Sequence, residues 1–350
     1  MRDLAAALKE RGHDVIVLAG IGGVLFKELA ERGVPCRKLE RLIHPIRPLQ
    51  DWAALKEIRA ALQELKPDLV TTHSNKAGLL GRAAARTLNI PALYTSHGFL
   101  FGGRENSPAG RFYRLMESFG ARVAEKIIVV SESEFNLARD LKVIPAEKMV
   151  VVHNGLPDLG AQFRADPAID PPRLVMVARF APPKDHQTLL KALGGLKDRA
   201  WSLQLAGDGS GRRRAEELAG RLGIAGRVSF LGLREDVPAI LAESQVFVLS
   251  SKREGFPLSV LEAMRAGLPV AAAAVGGVGE AVVDGESGLL FPPGDAAALK
   301  DCLARLIGDP DLRRRLGEAG RRRYEEYFTL EQMVEKTEAV YRSVSAYTGS

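Results

Sequence analysis

Short apolar runs alternate with amphipathic stretches along the whole chain. Each run spans four or five residues, the length of a buried strand. The predicted strands cover residues 15–18, 69–72, 92–96, 127–130, 149–152, 174–177, 203–206, 246–249 and 270–273. Between them, apolar residues recur at helical spacing, and we predict helices at residues 2–9, 55–65, 76–88, 186–196, 213–222 and 259–266. Such alternation predicts an α/β protein with parallel sheets that carry helices on both faces.

The alternation stops between residues 157 and 172, where proline, glycine and aspartate replace any periodic pattern. We therefore predict two Rossmann-like, doubly wound lobes, one at residues 1–157 and one at 171–329, with a linker at 158–170. A length of 350 residues fits two domains. Two such lobes place a ligand cleft between them, facing the carboxyl ends of their strands.

Composition narrows the class of protein. Hydrophobic residues make up 46% of the chain and charged residues 26%, which excludes a disordered or fibrous protein. The net charge of +6 is mild, so we expect no nucleic acid partner, whereas anionic substrates or a membrane surface stay open. Cys36 and Cys302 are far apart, which favours neither disulfides nor a zinc site and fits a reducing cytoplasm. We expect no signal peptide or transmembrane helix.

The densest chemistry lies at residues 246–262. A buried strand is followed by a loop with Glu254 and Gly255, and a helix starts near Pro257. The free N–H groups at that helix start can bind a phosphate or hydroxyl, and Gly255 allows a close approach. Glu254 lies at the helix start and Glu262 on about its second turn, where carboxylates could bind the hydroxyls of a sugar. A capping glutamate and a solvent-exposed glutamate are the alternative, and the spacing alone does not decide.

Two cations follow another predicted strand. Arg179 lies at the end of the strand at 174–177, and Lys184 follows two prolines just before a helix. Cations in this position suit a diphosphate, although each alone could be an ordinary surface charge. The nearby Gly207–Gly211 run departs from the dinucleotide pattern GxGxxG at Arg212, so a dehydrogenase is weakly supported.

The motif Asp309-Pro310-Asp311 matches a metal-binding DxD pattern. It lies between two helical segments rather than after a buried strand, so a helix-capping aspartate is the better interpretation. We expect no metal.

Together these residues resemble the retaining glycosyltransferases of family 4, which have the two-lobed GT-B fold. The resemblance covers nearly the whole chain and is strongest at residues 254–262, an E-x7-E pattern. Supporting segments lie at residues 179–184, 206–209, 230–232, 267–270, 276–280 and 288–295.

The resemblance implies roles for these residues. Arg179 and Lys184 would neutralise the donor diphosphate, Glu262 would hold the ribose, and Glu254 would hold the donor sugar. His97, in a segment similar to the family's HG-Φ motif, would face the transferred sugar; otherwise a lone histidine after a strand is a structural group. The implied catalytic residues are His97, Glu254, Arg179 and Lys184, and the implied donor-binding residues are Gly207, Asp208, Leu233, Arg234, Gly255, Phe256, Pro257, Leu258 and Glu262.

The first lobe carries a narrower likeness. Residues 72–82 resemble family members that build capsular or exopolysaccharide repeat units on polyprenyl-diphosphate carriers, which implies a membrane-bound acceptor. Two interpretations fit the segment that follows. It could form a basic and aromatic surface on anionic lipid, from Arg104, Arg111, Arg114, Arg122 and Lys126 near Phe99, Leu100, Phe101, Phe112 and Tyr113. The helical spacing of Phe112, Leu115, Met116 and Phe119 is more simply a core face.

The resemblance also implies what to expect at the two ends of the chain. In the family, a first strand and a Gly-Gly turn precede the helix with which this chain opens, so we expect the first lobe to lack them. The helix at residues 330–347 is expected to cross back, so that residues 330–350 join the first lobe.

The sequence therefore predicts a metal-independent, retaining hexosyltransferase without a cofactor. It would move a sugar from a nucleoside-diphosphate donor, a UDP-sugar, to a saccharide or polyprenyl-diphosphate-linked acceptor in cell-surface polysaccharide synthesis. It would work in the cytoplasm or at the inner face of the membrane, with peripheral contact to anionic lipid. The alternatives are a sugar-nucleotide epimerase of the same architecture and a non-catalytic nucleotide-sugar-binding protein.

Overall fold

The computed structural model describes residues 1–43 and 46–345, which form two compact units. The first unit comprises Met1–His153 and the C-terminal segment from Leu330, and the second comprises Asn154–Thr329.

In the first unit, parallel strands form a two-stranded sheet, β1–β2, and a four-stranded sheet in the order β3–β4–β5–β6. The strands are β1 (Val17–Ala19), β2 (Cys36–Lys38), β3 (Val70–His73), β4 (Ala92–Ser96), β5 (Lys126–Val129) and β6 (Met149–Val151). The helices are α1 (Arg2–Glu10), α2 (Val24–Glu31), α3 (Pro48–Leu65), α4 (Asn75–Arg86), α5 (Pro108–Arg122), α6 (Glu132–Asp140) and the C-terminal α14 (Leu330–Ser345).

The C-terminal helix α14 packs on the first unit, as the resemblance implied. Glu338 accepts hydrogen bonds from His13 (2.9 Å) and Arg11 (3.0 Å), which help to lower the pKa of its carboxyl group to about 2. The Tyr341 hydroxyl donates to Oγ1 of Thr71 at 3.0 Å. Helix α14 is thereby tied to the first unit through both polar and apolar contacts.

The second unit is one six-stranded parallel sheet in the order β12–β11–β10–β7–β8–β9. Its strands are β7 (Arg173–Val177), β8 (Ser202–Ala206), β9 (Val228–Gly232), β10 (Val246–Leu249), β11 (Val270–Ala273) and β12 (Gly288–Phe291). Its helices are α7 (His186–Gly194), α8 (Arg212–Arg221), α9 (Val237–Ala242), α10 (Leu258–Ala266), α11 (Val278–Ala281), α12 (Ala296–Gly308) and α13 (Pro310–Tyr327). Asp309 accepts the Leu312 N–H at 2.9 Å at the start of α13, which confirms the capping interpretation.

The strand predictions agree best where a strand is fully buried. The strands predicted at 92–96, 246–249 and 270–273 have exactly those bounds in the structure, and the others differ by one or two residues at their ends. The predictions omitted β2, β9 and β12, which all lie at sheet edges. Strands β2 and β9 are only partly buried, and the apolar run of β12 is just three residues long, so none of them has the continuous run of a central strand.

The predicted core face of α5 is wrong for three of its four residues. Phe112, Leu115 and Phe119 are 48%, 68% and 54% exposed. The helix instead packs inward through small residues, among them Gly110, Gly120 and Ala121. No helix in the two described ranges is long and apolar enough to cross a bilayer.

The rival interpretation of this segment also needs a correction. Phe99 and Phe101, expected beside the basic residues on a surface, are 2% and 0% exposed and stack with ring centroids 4.9 Å apart. They belong to the core of the first unit, with Tyr94 and Ile127.

The segment predicted to be a linker packs as part of the second unit. The fully buried guanidinium of Arg313 donates to the carbonyl oxygens of Pro167 (2.5 Å) and Ile169 (3.0 Å). Arg321 binds the Asp158 carboxylate through two hydrogen bonds of 3.1 and 2.6 Å. Buried Arg313 thus satisfies backbone carbonyl groups, and Arg321 a carboxylate, of a stretch whose regular structure is limited to a 3₁₀ turn at Ala161–Phe163.

Candidate active site

The chain reverses its direction of winding between β7 and β10 in the second sheet. From β7 it proceeds to β8 and β9 on one side, and β10, β11 and β12 follow on the other. The connections that follow β7 and β10 therefore lead in opposite directions along the sheet, and such a switch point is where open α/β sheets bind ligands. Arg179 and Lys184 lie in the loop after β7, and Glu254 lies in the loop after β10.

Hydrogen bonds hold the two switch-point loops together. The Asp185 N–H donates to the carbonyl of Ser250 at 2.8 Å, and the Lys252 N–H donates to the carbonyl of Pro183 at 2.9 Å. Lys184 itself forms an antiparallel bridge with Ser251. The backbone is therefore fixed on both sides of the side chains that the sequence singled out.

Lys184 and Glu254 form an ion pair at this point. Nζ of Lys184 donates to Oε1 of Glu254, and the side chains are only 18% and 10% exposed. The sequence assigned them separate ligand roles; the structure shows that they contact each other directly. Removing either side chain of such a partly buried ion pair would leave the other charge without its counter-charge.

The side chain of Arg179 differs from that of Lys184 in its exposure and its contacts. Its side chain is exposed and has no hydrogen bond or ion pair among the described residues. Gly207 holds the neighbouring turn close, since at its φ of +139° a Cβ would lie 2.1 Å from the carbonyl oxygen of Ala178. The Phe180 N–H also donates to the Asp208 carbonyl at 2.9 Å. The predicted residues 179, 207 and 208 thus lie together beyond the carboxyl ends of β7 and β8, at the edge of the sheet where the strands end.

The start of α10 completes this edge. Pro257 is the N-cap residue, no side chain of the described residues caps the helix, and Leu258 is 47% exposed. Phe256 is buried, and its carbonyl accepts a hydrogen bond from Nδ2 of Asn154 at 2.9 Å. Uncapped N–H groups at a helix N-terminus form an anion-binding site in combination with the cations nearby. Sequence reasoning missed Asn154, whose signal was a polar residue before Gly155 shortly after a strand.

A glycine turn supports Gly255 and Glu254 from behind. The Gly277 N–H donates to the Gly255 carbonyl at 2.8 Å. At Gly276, with φ of +51°, a Cβ would lie 1.8 Å from the Glu254 carbonyl oxygen. Only glycine fits such an approach, so the turn fixes the position of the Glu254 backbone.

The remaining predicted donor residues lie on neighbouring elements of the same unit. Glu262 lies on the second turn of α10 and is half-buried. Leu233 follows β9 and is 84% exposed. Arg234 is engaged in two hydrogen bonds to Asp236, of 2.8 and 2.6 Å, so its charge is balanced locally.

In the first unit, His97 is paired with a second histidine. His73 ends β3 and His97 follows β4, and His73 Nδ1 lies 3.1 Å from His97 Nε2. Desolvation lowers the pKa of His73 to about 3, with repulsion from His97 adding to it. Although part of the His97 ring is open to solvent, desolvation by the surrounding protein lowers its pKa to about 4. Both imidazoles are therefore neutral at pH 7.

The loop that carries His97 is fixed by a buried carboxylate. Glu134 Oε2 accepts the Phe99 N–H at 2.7 Å, and Glu134 is 4% exposed. Sequence reasoning did not single out His73 or Glu134. Both lie directly at the carboxyl end of a strand or in the first turn of the following helix, which is the signal that could have found them.

Comparison with known proteins supplies the family. Residues 1–155 match the family described as "Glycosyl transferase 4-like domain", and residues 161–323 match "Glycosyl transferases group 1". EpsD of Bacillus subtilis, which is named as a glycosyltransferase, is 30% identical over 307 residues, covering 82% of this chain and 80% of EpsD. The chain belongs to the family 4 type of GT-B glycosyltransferases.

A second relative and a solved structure are also similar to this chain, the second of these in fold. The Escherichia coli enzyme named UDP-Gal:alpha-D-GlcNAc-diphosphoundecaprenol alpha-1,3-galactosyltransferase is 29% identical over 282 residues, covering 75% of this chain and 72% of that enzyme. HepE of Anabaena, solved in complex with UDP and glucose, superposes with a TM-score of 0.86 at 22% identity, covering 98% of this chain and 94% of HepE. The predicted GT-B fold is confirmed, whereas the predicted site residues stay predictions.

Proposed function

We propose that this glycosyltransferase transfers a sugar from a UDP-sugar, with retention of configuration, to a saccharide or a polyprenyl-diphosphate-linked acceptor in cell-surface polysaccharide synthesis. The observation that carries the proposal is the Lys184–Glu254 pair at the switch point, beside exposed Arg179 and the uncapped start of α10. This edge has cations, backbone donors and a carboxylate, which together match a sugar diphosphate.

The chemistry follows from where charge develops. When the bond to the sugar breaks, the diphosphate leaving group gains negative charge. Arg179, Lys184 and the N–H groups of α10 would bind that charge more strongly as it grows, and so lower the barrier without a metal ion. Lys184 would exchange its contact with Glu254 for the diphosphate, which frees the carboxylate to accept hydrogen bonds from sugar hydroxyls.

The rest of the donor has its own candidate groups. Glu262 would accept hydrogen bonds from the ribose hydroxyls, and exposed Leu233 would border the base. The complex of HepE with UDP and glucose supports a UDP-linked donor. His97, being neutral at pH 7, would hydrogen-bond a sugar hydroxyl rather than supply a charge.

The acceptor class rests on the likeness of residues 72–82 and on the E. coli relative, whose name specifies a diphosphoundecaprenol acceptor. Polyprenyl-linked acceptors are held in a bilayer. To reach such an acceptor, the enzyme would have to contact the inner face of the membrane.

The test is calorimetric titration of the full chain with UDP, GDP and ADP, alongside Glu262→Ala. We expect saturable binding that prefers UDP and weakens at least tenfold in the variant. Glu243→Ala is the matched control, because Glu243 is 69% exposed and pairs with Arg173 away from this edge. Absence of nucleotide binding, or equal binding by Glu262→Ala, would contradict the proposal.

Product analysis separates the rival activities. We expect UDP release from a UDP-sugar to depend on acceptor, with the sugar's anomeric configuration kept in the product. Conversion of the UDP-sugar to an epimer without acceptor would instead show an epimerase, and UDP binding without any turnover a binding protein.

A further inference from the structure

His73 lies beside the histidine that the proposed function places at the sugar. The two residues come from neighbouring strands, since β3 ends at His73, which pairs in register with Thr95 of β4, and His97 follows that strand. Nδ1 of His73 and Nε2 of His97 are 3.1 Å apart, and the two rings are nearly parallel, with an interplanar angle of 16°. His97 is exposed, so a ligand can reach it, whereas His73 is half-buried.

The backbone on both sides of His73 is fixed. The hydroxyl group of buried Thr72 donates to a backbone carbonyl of β4 at 2.8 Å, which ties the end of β3 to its neighbour. Ser74 has a φ of +67° and a ψ of 153°, a conformation that residues other than glycine rarely adopt. Asn75 begins α4 and donates through Nδ2 to the buried side chain of Glu117 at 2.9 Å. Backbone strain of this kind persists only where the surrounding structure enforces it, and it is concentrated at functional sites.

One hydrogen bond links the tautomers of the two histidine rings. A neutral imidazole has one N–H donor and one unprotonated acceptor nitrogen. Both rings are neutral at pH 7, because desolvation lowers the pKa of His73 to about 3 and that of His97 to about 4. The contact therefore holds a single proton, on Nδ1 of His73 or on Nε2 of His97. In either case only Nδ1 of His97 is left for a ligand, and the contact with His73 determines whether that nitrogen donates or accepts.

The intrinsic stability of the tautomers decides which ring donates. A neutral histidine side chain prefers to carry its proton on Nε2 rather than on Nδ1. If Nε2 of His97 donates to Nδ1 of His73, both rings have the preferred tautomer, whereas the reverse arrangement gives both rings the less stable one. Among the described residues, no protein group hydrogen-bonds Nε2 of His73 or Nδ1 of His97, so no other contact reverses this preference.

We propose that His73 is a positioning residue that keeps the proton of His97 on Nε2 and so leaves Nδ1 of His97 as a hydrogen-bond acceptor for a substrate hydroxyl. The inference rests on the proposed function, in which His97 contacts the transferred sugar. It adds that the substrate group at this point is an O–H donor, because an unprotonated nitrogen has no hydrogen to give to an ether or carbonyl oxygen. A donor sugar in which this hydroxyl is methylated or replaced by hydrogen is therefore a poor substrate.

NMR of the full chain tests the tautomer without any substrate. With isotope-labelled histidine at pH 7, we expect the nitrogen shift of a protonated nitrogen for Nε2 of His97 and that of an unprotonated nitrogen for Nδ1. In His73→Leu, which has no acceptor, the two shifts should approach each other as the tautomers exchange. His13→Leu is the matched control, because His13 lies in the same unit but contacts Glu338. A proton on Nδ1 of His97 in the wild type, or a tautomer unchanged in His73→Leu, would overturn the proposal.

Steady-state kinetics with a UDP-sugar tests whether His73 acts through His97. We expect kcat/KM to fall about tenfold in His73→Leu, as for the loss of one hydrogen bond. In His73→Asn it should recover to within about threefold of the wild type, because Oδ1 of asparagine can accept at the position of Nδ1. Adding His73→Leu to His97→Ala should cause no further loss. Equal losses in the two His73 variants, or a further loss in the double variant, would show a merely structural role and overturn the proposal.

The failure of this inference can be told apart from the failure of the proposed function. UDP titration checks that the variants are folded, and we expect unchanged UDP affinity because the candidate diphosphate groups lie in the second unit. If the wild type transfers no sugar, the proposed function is wrong, and the NMR result still decides the tautomer. If sugar transfer occurs but His73→Leu is as active as the wild type, the proposed function stands and the positioning role of His73 is wrong.

Discussion

Both units place titratable side chains after the carboxyl ends of neighbouring parallel strands. In one unit these side chains are charged, and in the other they are neutral. In the second unit, the ion pair of Lys184 and Glu254 keeps two charges close and mutually balanced. In the first, His73 and His97 share a hydrogen bond, and desolvation holds both neutral at pH 7. The ion pair of the second unit can exchange one charged partner for an anionic ligand. The histidine pair of the first unit can offer hydrogen bonds to an uncharged group.

Breaking the charged arrangement should have the largest effect. We expect Lys184→Ala or Glu254→Ala to lower kcat/KM about ten- to 150-fold, since a charge-assisted hydrogen bond contributes about 1.5–3 kcal/mol. Steady-state kinetics with a UDP-sugar measures this. Lys252→Ala is the control, because that side chain is 68% exposed and lies 3.6 Å from Asp185. Values near wild type for both variants would remove these residues from the site.

The second unit also contains a histidine that the fold keeps neutral at pH 7, His186. His186 is 5% exposed and stacks on Phe180 at 4.0 Å, and desolvation lowers its pKa from 6.5 to about 4. Below pH 6.5 the unfolded chain therefore binds a proton that the folded chain does not, and the folded state loses stability until about pH 4.

This loss gives a prediction for His186→Phe. Between pH 7 and pH 5 the free energy of unfolding of the wild type should fall by about 2 kcal/mol more than that of the variant. Denaturant titrations at the two pH values measure the difference. An equal fall in both proteins would show that His186 is not held neutral in the fold.

The smallest effect concerns the coupling within the histidine pair. By NMR titration, we expect neither His73 nor His97 to protonate between pH 8 and pH 5. In His97→Asn the pKa of His73 should rise, because one source of repulsion is gone. It should stay below 6.5, because desolvation is the larger cause. The titration of His186, in the other unit, is the control. A pKa of His73 that stays or falls would contradict the coupling.

Much of the fold could be predicted because a buried strand requires a continuous run of apolar residues in the sequence. Strands such as β10 and β11 are buried at every position, so their apolar runs set their bounds. In α5 the same reasoning failed, because spacing shows that apolar residues share a face but not which face turns inward. There the buried positions are taken by Glu117 and by small residues such as Gly120 and Ala121, and Phe112, Leu115 and Phe119 lie outside.

The candidate site shows the same limit. Glu254, Gly255 and Pro257 could be placed from sequence, because a strand end, a loop and a helix start are local features. The contact of Lys184 with Glu254 and that of His73 with His97 join residues 70 and 24 positions apart. Such partners depend on strand order in the sheet, which no local pattern records. Asn154 was missed for the same reason, since its partner Phe256 is 102 residues away.

The arginine contacts of α13 determine where this protein can be divided. Composition places the natural cut within residues 158–170, but a fragment of the second unit that begins after Asp158 takes that carboxylate from Arg321. A fragment that begins after Ile169 also takes from Arg313 the carbonyl oxygens of Pro167 and Ile169. Two guanidinium groups, each less than a tenth exposed, would then keep only part of their acceptors inside the truncated fragment. The segment least regular in sequence is thus the one that a fragment of the second unit has to keep, and a fragment beginning at Asn154 keeps it.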